Sequence, residues 1–151
     1  VAVGSPLALD LGERRLLLQA WPTAHTDTDL TVLDEATGTL FAGDLLFLER
    51  LPIVDGSLKG WLAVMDELAR LPAARVVPGH GPAAAAWPMA LVPQRHYLEG
   101  VRDGVRAAIA RGVPLDEAPD AVPVPAGARW VLVDEGHARN VVTSYTELEW
   151  E

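Results

Sequence analysis

The chain contains no cysteine. That excludes a disulfide framework and any thiolate metal site, and it leaves the redox compartment open. No apolar run approaches the ~18 residues that would span a bilayer, so no transmembrane helix is expected. Basic residues are outnumbered: 12 Lys and Arg stand against 21 Asp and Glu, a formal net charge of -9. A surface of this sign repels phosphates, which argues against nucleic acid as a sequence-independent partner, and it favours solubility. No signal peptide is visible. The first residue is Val1 rather than Met, so the chain is expected to begin after a processing or cleavage boundary, which leaves an exported precursor open.

What is present is a globular composition. The 151 residues are half apolar and 22% charged, enough to bury a core in one domain or part of one. Residues 6–11 alternate weakly, and residues 15–21 (RLLLQAW) form an apolar run of strand length that Pro22 stops. Residues 28–33 and 39–42 flank the turn Asp34-Glu35-Ala36-Thr37-Gly38, the clearest hairpin signal. Ser57 has the chemistry of an N-cap. Behind it Leu58, Trp61, Leu62, Met65, Leu68 and Ala69 recur at three- and four-residue steps, as on one face of a helix. Residues 75–78 (RVVP) predict a short strand, 94–111 a second helix closed by Gly112 and Pro114, and 114–127 a connector. Residues 130–133 predict a further strand and 140–148 a short terminal helix. Strands alternating with helices imply an α/β layered fold, with too few strands for a complete two-sheet sandwich.

Three polar residues share one placement. His25 follows RLLLQAW, Asp44 follows TLFAG and His80 follows RVVPG. Loops at strand ends are where rigid elements hold ligand and catalytic groups. If the strands run in compatible directions, these loops meet on one edge. Two imidazoles and a carboxylate suit zinc, iron or manganese. Glycine beside Asp44 and on both sides of His80 permits tight backbone geometry near an ion. Taken singly, a loop histidine is usually a surface residue and an aspartate after glycine a turn residue; only together do they point to a metal.

The strings around them carry more. His25-Thr26-Asp27-Thr28-Asp29-Leu30, Leu40-Phe41-Ala42-Gly43-Asp44 and Val77-Pro78-Gly79-His80-Gly81-Pro82, in this order, resemble the later motifs of the metallo-β-lactamase superfamily. Residues 50–61 and the tail 137–151 are similar to a bacterial subgroup of quinoprotein relay system zinc metallohydrolases, related to SoxH-like proteins. The resemblance implies an αββα sandwich, of which residues 1–151 would be the C-terminal half, a single partial domain. It implies that His25 is a ligand of a first metal, that Asp44 bridges two metals and acts in catalysis, and that His80 completes the second. Zinc is the usual ion, with iron or manganese in some branches. The family's earlier His-x-His-x-Asp-His motif does not occur in these 151 residues. A missing N-terminal half, or self-association, is therefore expected to complete the site and to cover an apolar inner sheet face.

The function implied for the complete protein is metal-dependent hydrolysis of a small ester, thioester or amide by metal-activated water, with little activity expected from this chain alone. Asp44, where some true β-lactamases carry cysteine, leans away from β-lactams. The alternative is a non-catalytic binding or assembly module that kept the scaffold. Thr26 and Asp29 are candidates to hold the His25 ring in one tautomer, with turn capping as their plainer role. Lys59 is a candidate for an anionic substrate, with a solvated helix turn as the plainer reading. Trp61 and Trp87 could line a pocket but have the character of core. His96 and His137 are not assigned to metal. The subgroup's association with quinoprotein dehydrogenases implies a periplasmic location.

Overall fold

The computed structural model describes residues 4–151. Its elements run β1 (Leu7–Asp10), β2 (Arg15–Ala20), β3 (Leu30–Asp34), β4 (Thr39–Phe47), α1 (Leu58–Leu68), β5 (Arg75–His80), β6 (Ala85–Ala86), α2 (Leu91–Ala110), α3 (Ala118–Ala121) and α4 (Val133–Leu148). The strands form one mixed sheet in sequential order β1 to β6. Neighbours are antiparallel except β4 and β5, which are parallel. Parallel neighbours need a crossover, and α1 supplies it. This is the α/β layering that the sequence implies. Among the described residues no helix is long and apolar enough to cross a membrane.

Local chemistry explains the first half. Asp34 closes the β3–β4 hairpin by accepting bonds from Ala36 N (3.2 Å) and Thr37 Oγ1 (2.6 Å). Ser57 caps α1, its hydroxyl accepting from Gly60 N at 2.8 Å. Of the expected α1 stripe, Leu58, Trp61, Leu62, Met65 and Leu68 are buried, whereas Ala69 is the exposed C-cap, one residue past the helix. Helix α4 then closes over the same end: the Glu147 carboxylate accepts from Ser57 Oγ (2.6 Å) and Leu58 N (2.8 Å). A carboxylate at a helix N-terminus satisfies free N–H groups and complements the helix dipole.

The second half departs from the sequence reading at residues 130–133, which do not form a strand. Val131 makes only an isolated bridge to Arg50, and with no longer partner the pairing cannot propagate. Helix α4 instead begins at Val133, seven residues before the predicted start at 140, with Asp134 and Glu135 in its first turn, where acidic side chains are stabilising. The alanine run hides β6, which pairs with β5.

The two faces of the sheet differ. Leu33 and Leu40, paired across β3 and β4, lie buried in the core with Val76, Trp61, Met65, Leu98, Val101 and Val141 from β5 and the helices. On the opposite face a row of apolar residues, Leu7, Leu18, Val32, Phe41 and Val77, crosses five strands through successive register pairs. Among the described residues no helix covers this row: Leu7 is 47% exposed and Phe41 43%, while Leu18, Val32 and Val77 are half-buried. This face of the sheet is apolar along the row and partly open.

Candidate metal centre

The loop between β2 and β3 carries His25. Its backbone is tied down on both sides: Ser57 N donates to Ala24 O (2.9 Å), Asp55 N to His25 O (3.1 Å), and Trp21 N to Asp29 O (3.0 Å). Within the loop Thr26 N and Thr26 Oγ1 both donate to the Asp29 carboxylate, at 2.9 and 3.0 Å. The His25 side chain is buried, its ring 5.4 Å from that of Phe47 and 5.2 Å from that of Trp61. Its Nδ1 lies 2.6 Å from Ile53 O. A carbonyl can only accept, so the proton is on Nδ1, and in the neutral ring Nε2 presents a lone pair.

Asp44 sits where β4 loses regular register. Pairing to β5 passes from Gly43↔Pro78 to Phe47↔His80, so the β4 chain bulges between them. Buried side chains hold the bulge in place. Leu45 O accepts from Gln94 Nε2 (2.9 Å) and Trp61 Nε1 (3.0 Å), and Phe47 N donates to Gln94 Oε1 (2.7 Å). The carboxylate lies against the Gly79 backbone: a Cβ at position 79 would meet Asp44 Oδ1 at 2.1 Å and Gly43 O at 2.7 Å. Any other residue at 79 would displace the carboxylate.

His80 ends β5. Its O accepts from Leu48 N (2.8 Å), and its ring stacks on Phe47 at 4.7 Å. The three predicted residues are thus brought to one edge. His25 Nε2 is 3.7 Å from Asp44 Oδ2, and His80 Nε2 is 3.4 Å from Asp44 Oδ1. Each carboxylate oxygen faces a different imidazole.

The His25 contact is not a direct bond. At 3.7 Å the His25 contact is too long for a hydrogen bond, and the lone pair on Nε2 faces an anionic oxygen. Two donors on one ion, each about 2.0–2.2 Å from it, stand about 3.4 Å apart at a tetrahedral angle. Among the described residues no group of three or more His, Cys, Asp or Glu is disposed to hold an ion by itself. The arrangement is instead two pairs that share one carboxylate. The donor set, two imidazoles and a carboxylate, suits zinc, iron or manganese.

Other candidates lie differently. Thr26 and Asp29 bond each other and cap the loop, and it is the Ile53 carbonyl that holds the His25 ring. Lys59 Nζ pairs with Glu151 at 3.1 Å. Glu151, bonded by Arg106 as well as Lys59, is pulled down to about 2 by these two cations. His96 Nε2 bonds Ala126 O at 2.8 Å. Trp61 packs beside His25, whereas Trp87 Nε1 donates to Leu71 O. The sequence reading missed Phe47, which separates the two imidazoles, Ile53, which acts through its backbone, and Gln94. A buried amide on an otherwise apolar helix stripe was the one available signal for Gln94.

Solved structures share this architecture. The stereoselective inverting sec-alkylsulfatase Pisa1 from Pseudomonas sp. matches 98% of the chain with a TM-score of 0.73 at 14% identity. A metallo-beta-lactamase family protein from Thermus thermophilus matches 99% with a TM-score of 0.65 at 23% identity. A metallo-beta-lactamase from Pontibacter korlensis matches 62% with a TM-score of 0.53 at 25% identity. The chain spans 26%, 47% and 46% of these three proteins, less than half of each. No curated protein matches it. A sequence model of the metallo-beta-lactamase superfamily matches residues 1–80, more than half of the 151 and a stretch that includes His25, Asp44 and His80, and the chain belongs to that superfamily.

Proposed function

We propose that the chain carries one half of the metal site of a zinc-dependent hydrolase acting on a small ester, thioester or amide. The observation that carries this reading is the placement of the Asp44 carboxylate between His25 Nε2 and His80 Nε2, one oxygen towards each. When bound, divalent ions would lower the pKa of a coordinated water towards neutrality and polarise a substrate carbonyl. Asp44, half exposed at 46%, sets the spacing of the two histidine sides and can accept a hydrogen bond from the attacking water. The Ile53 carbonyl fixes the His25 tautomer and leaves the Nε2 lone pair facing Asp44. Phe47 and Trp61 exclude water from the inner side of that ring.

The remaining donors would come from a second half-sandwich. The apolar row from Leu7 to Val77 supports this, because contiguous apolar residues left partly open on a sheet face suit an interaction surface. The similarity of residues 50–61 and 137–151 to quinoprotein relay system metallohydrolases supports a bacterial, periplasmic member. Metal analysis of the purified protein and of Asp44→Ala, with hydrolysis of an ester and thioester panel, tests the proposal. Zinc in the parent and its loss from a folded Asp44→Ala variant are expected. Equal zinc in both, or metal-free parent protein without turnover, would overturn it and leave a non-catalytic module.

A further inference from the structure

Far from the sheet edge, the interior between α2 and α4 contains polar groups that the hydrolytic reading does not use. His137, Tyr97 and Asn140 are buried there, with Tyr97 and Asn140 almost wholly so. Their bonds form one chain with a fixed direction. Val122 O can only accept, so His137 Nε2, 2.8 Å away, carries the proton. His137 Nδ1 is then an acceptor, and Tyr97 Oη, 3.0 Å away, donates to it. Burial pushes the Tyr97 phenol up to about 12, so that proton is retained. The Tyr97 oxygen in turn accepts from Asn140 Nδ2 at 2.9 Å.

The remaining bonds of Asn140 reach out of the helix layer. Its second N–H donates to Pro52 O at 2.7 Å, and its Oδ1 accepts from Val54 N at 2.9 Å. Those two backbone groups flank Ile53, whose carbonyl takes the proton of His25 Nδ1. Helix α4 also presses directly on this loop. A Cβ at Gly136 would meet Ile53 Cδ1 and Leu51 Cδ2, each at 2.8 Å, and would push those side-chain ends aside.

We propose that Asn140 is a positioning residue for the metal site: it clamps residues 52–54 from both sides and so aims the Ile53 carbonyl that sets the tautomer and direction of His25. The role of His25 as a ligand rests on the proposed function; the clamp itself does not. Every polar hydrogen of the Asn140 amide is used, and the loop itself fixes which way the amide faces, because Val54 N can only donate and Pro52 O can only accept. Removing one hydrogen-bonded partner of a ligating histidine costs about 10–100-fold in metal affinity, and Asn140 acts one bond further out.

The test is nitrogen-15 NMR of the imidazoles in metal-free protein, followed by zinc titration, on the parent, Asn140→Ala and Tyr97→Phe. In the parent, His25 is expected to hold its proton on Nδ1. In Asn140→Ala it should become a mixture of tautomers, with zinc bound about tenfold more weakly, while His96 is unchanged. Tyr97→Phe leaves both Asn140 bonds to the loop in place and should keep the His25 tautomer. If Asn140→Ala does not fold, Asn140→Ser, too short to reach Pro52 and Val54 together, gives the same reading. An unaltered His25 in the folded Asn140 variant overturns the clamp. An equal shift in Tyr97→Phe overturns it too, because general packing would then set the ring. A tautomer shift in Asn140→Ala when the parent binds no zinc upholds the clamp and overturns the metal reading alone.

Discussion

Two buried histidines sit in regions that treat them in opposite ways. Between α2 and α4, both nitrogens of His137 are matched, one to Tyr97 Oη and one to Val122 O. At the sheet edge, His25 has one nitrogen matched to Ile53 O, while the other faces the Asp44 carboxylate at a distance no hydrogen bond spans. Burial is nearly the same, 8% exposed for His25 and 7% for His137. The difference is in the unfinished valence. A saturated histidine holds the fold together, whereas a half-saturated one beside a carboxylate keeps a lone pair available for something that is not protein. Exposure and residue type do not distinguish the two; the count of bonds at each ring nitrogen does.

The comparison breaks most readily at Asp44. Asp44→Ala should weaken zinc binding by more than the about 100-fold that outer hydrogen-bond partners cost. Because Asp44 has no saturated bond to lose, thermal unfolding of the metal-free variant should stay near the parent. Calorimetric titration and melting read the two effects separately. His137→Ala should do the reverse. It strands Val122 O and Tyr97 Oη in the core and leaves a cavity, a destabilisation of about 2–4 kcal/mol by urea unfolding, with zinc affinity in the folded fraction close to the parent value. Were His137→Ala to abolish zinc binding at unchanged stability, the assignment of the two regions would have to be exchanged.

A smaller effect sharpens the comparison at position 79. Gly79→Ala places a methyl where Asp44 Oδ1 now lies. The carboxylate or the β5 backbone must shift, and overpacking of this kind costs about 1–3 kcal/mol. Zinc affinity should fall by about tenfold, since ligands are held to within about 0.5 Å in working sites. Preserved affinity would show that the carboxylate is mobile rather than cradled.

These expectations draw on features that differ in how far the sequence discloses them. The β3–β4 hairpin, the Ser57 cap and the α1 stripe are local, written in turn residues and in three- and four-residue spacing, and they form as that chemistry dictates. The neighbourhood of His25, Asp44 and His80 was legible because an apolar run precedes each, but only His25 lies on a loop beyond its strand: Asp44 falls inside β4 and His80 is the last residue of β5. What holds them was not legible. Gln94 reaches 47 and 49 residues back to brace the Asp44 bulge, and Asn140 reaches 86 and 88 residues back to the loop behind His25. A side-chain amide that bonds a distant backbone leaves no periodic trace, and the acceptor, a main-chain carbonyl such as Leu45 O or Pro52 O, has no residue type at all. The failed strand at 130–133 has the converse cause: β propensity was present but no continuous partner was, and context decides strand formation.

The least effect expected concerns a second carboxylate, Asp34, which is to Asp44 what His137 is to His25. Asp34 is buried and saturated: Arg14 pairs with it, Thr37 Oγ1 donates at 2.6 Å and Ala36 N at 3.2 Å. The Arg14 guanidinium and these hydrogen bonds hold its carboxyl at about 2, below the ordinary carboxylate range. A depressed folded-state pKa means that the unfolded chain binds the proton first as pH falls. The stabilisation is therefore complete above about pH 4, where the unfolded Asp is ionised, and is lost as pH falls through about 2. Arg14→Gln should raise the acid end of this window, so that the variant loses stability relative to the parent above about pH 4 but converges with it near pH 2. Urea midpoints at several pH values read this directly. A parent and variant whose difference persists unchanged at about pH 2 would show that Arg14 acts through packing of its stem rather than through the Asp34 charge.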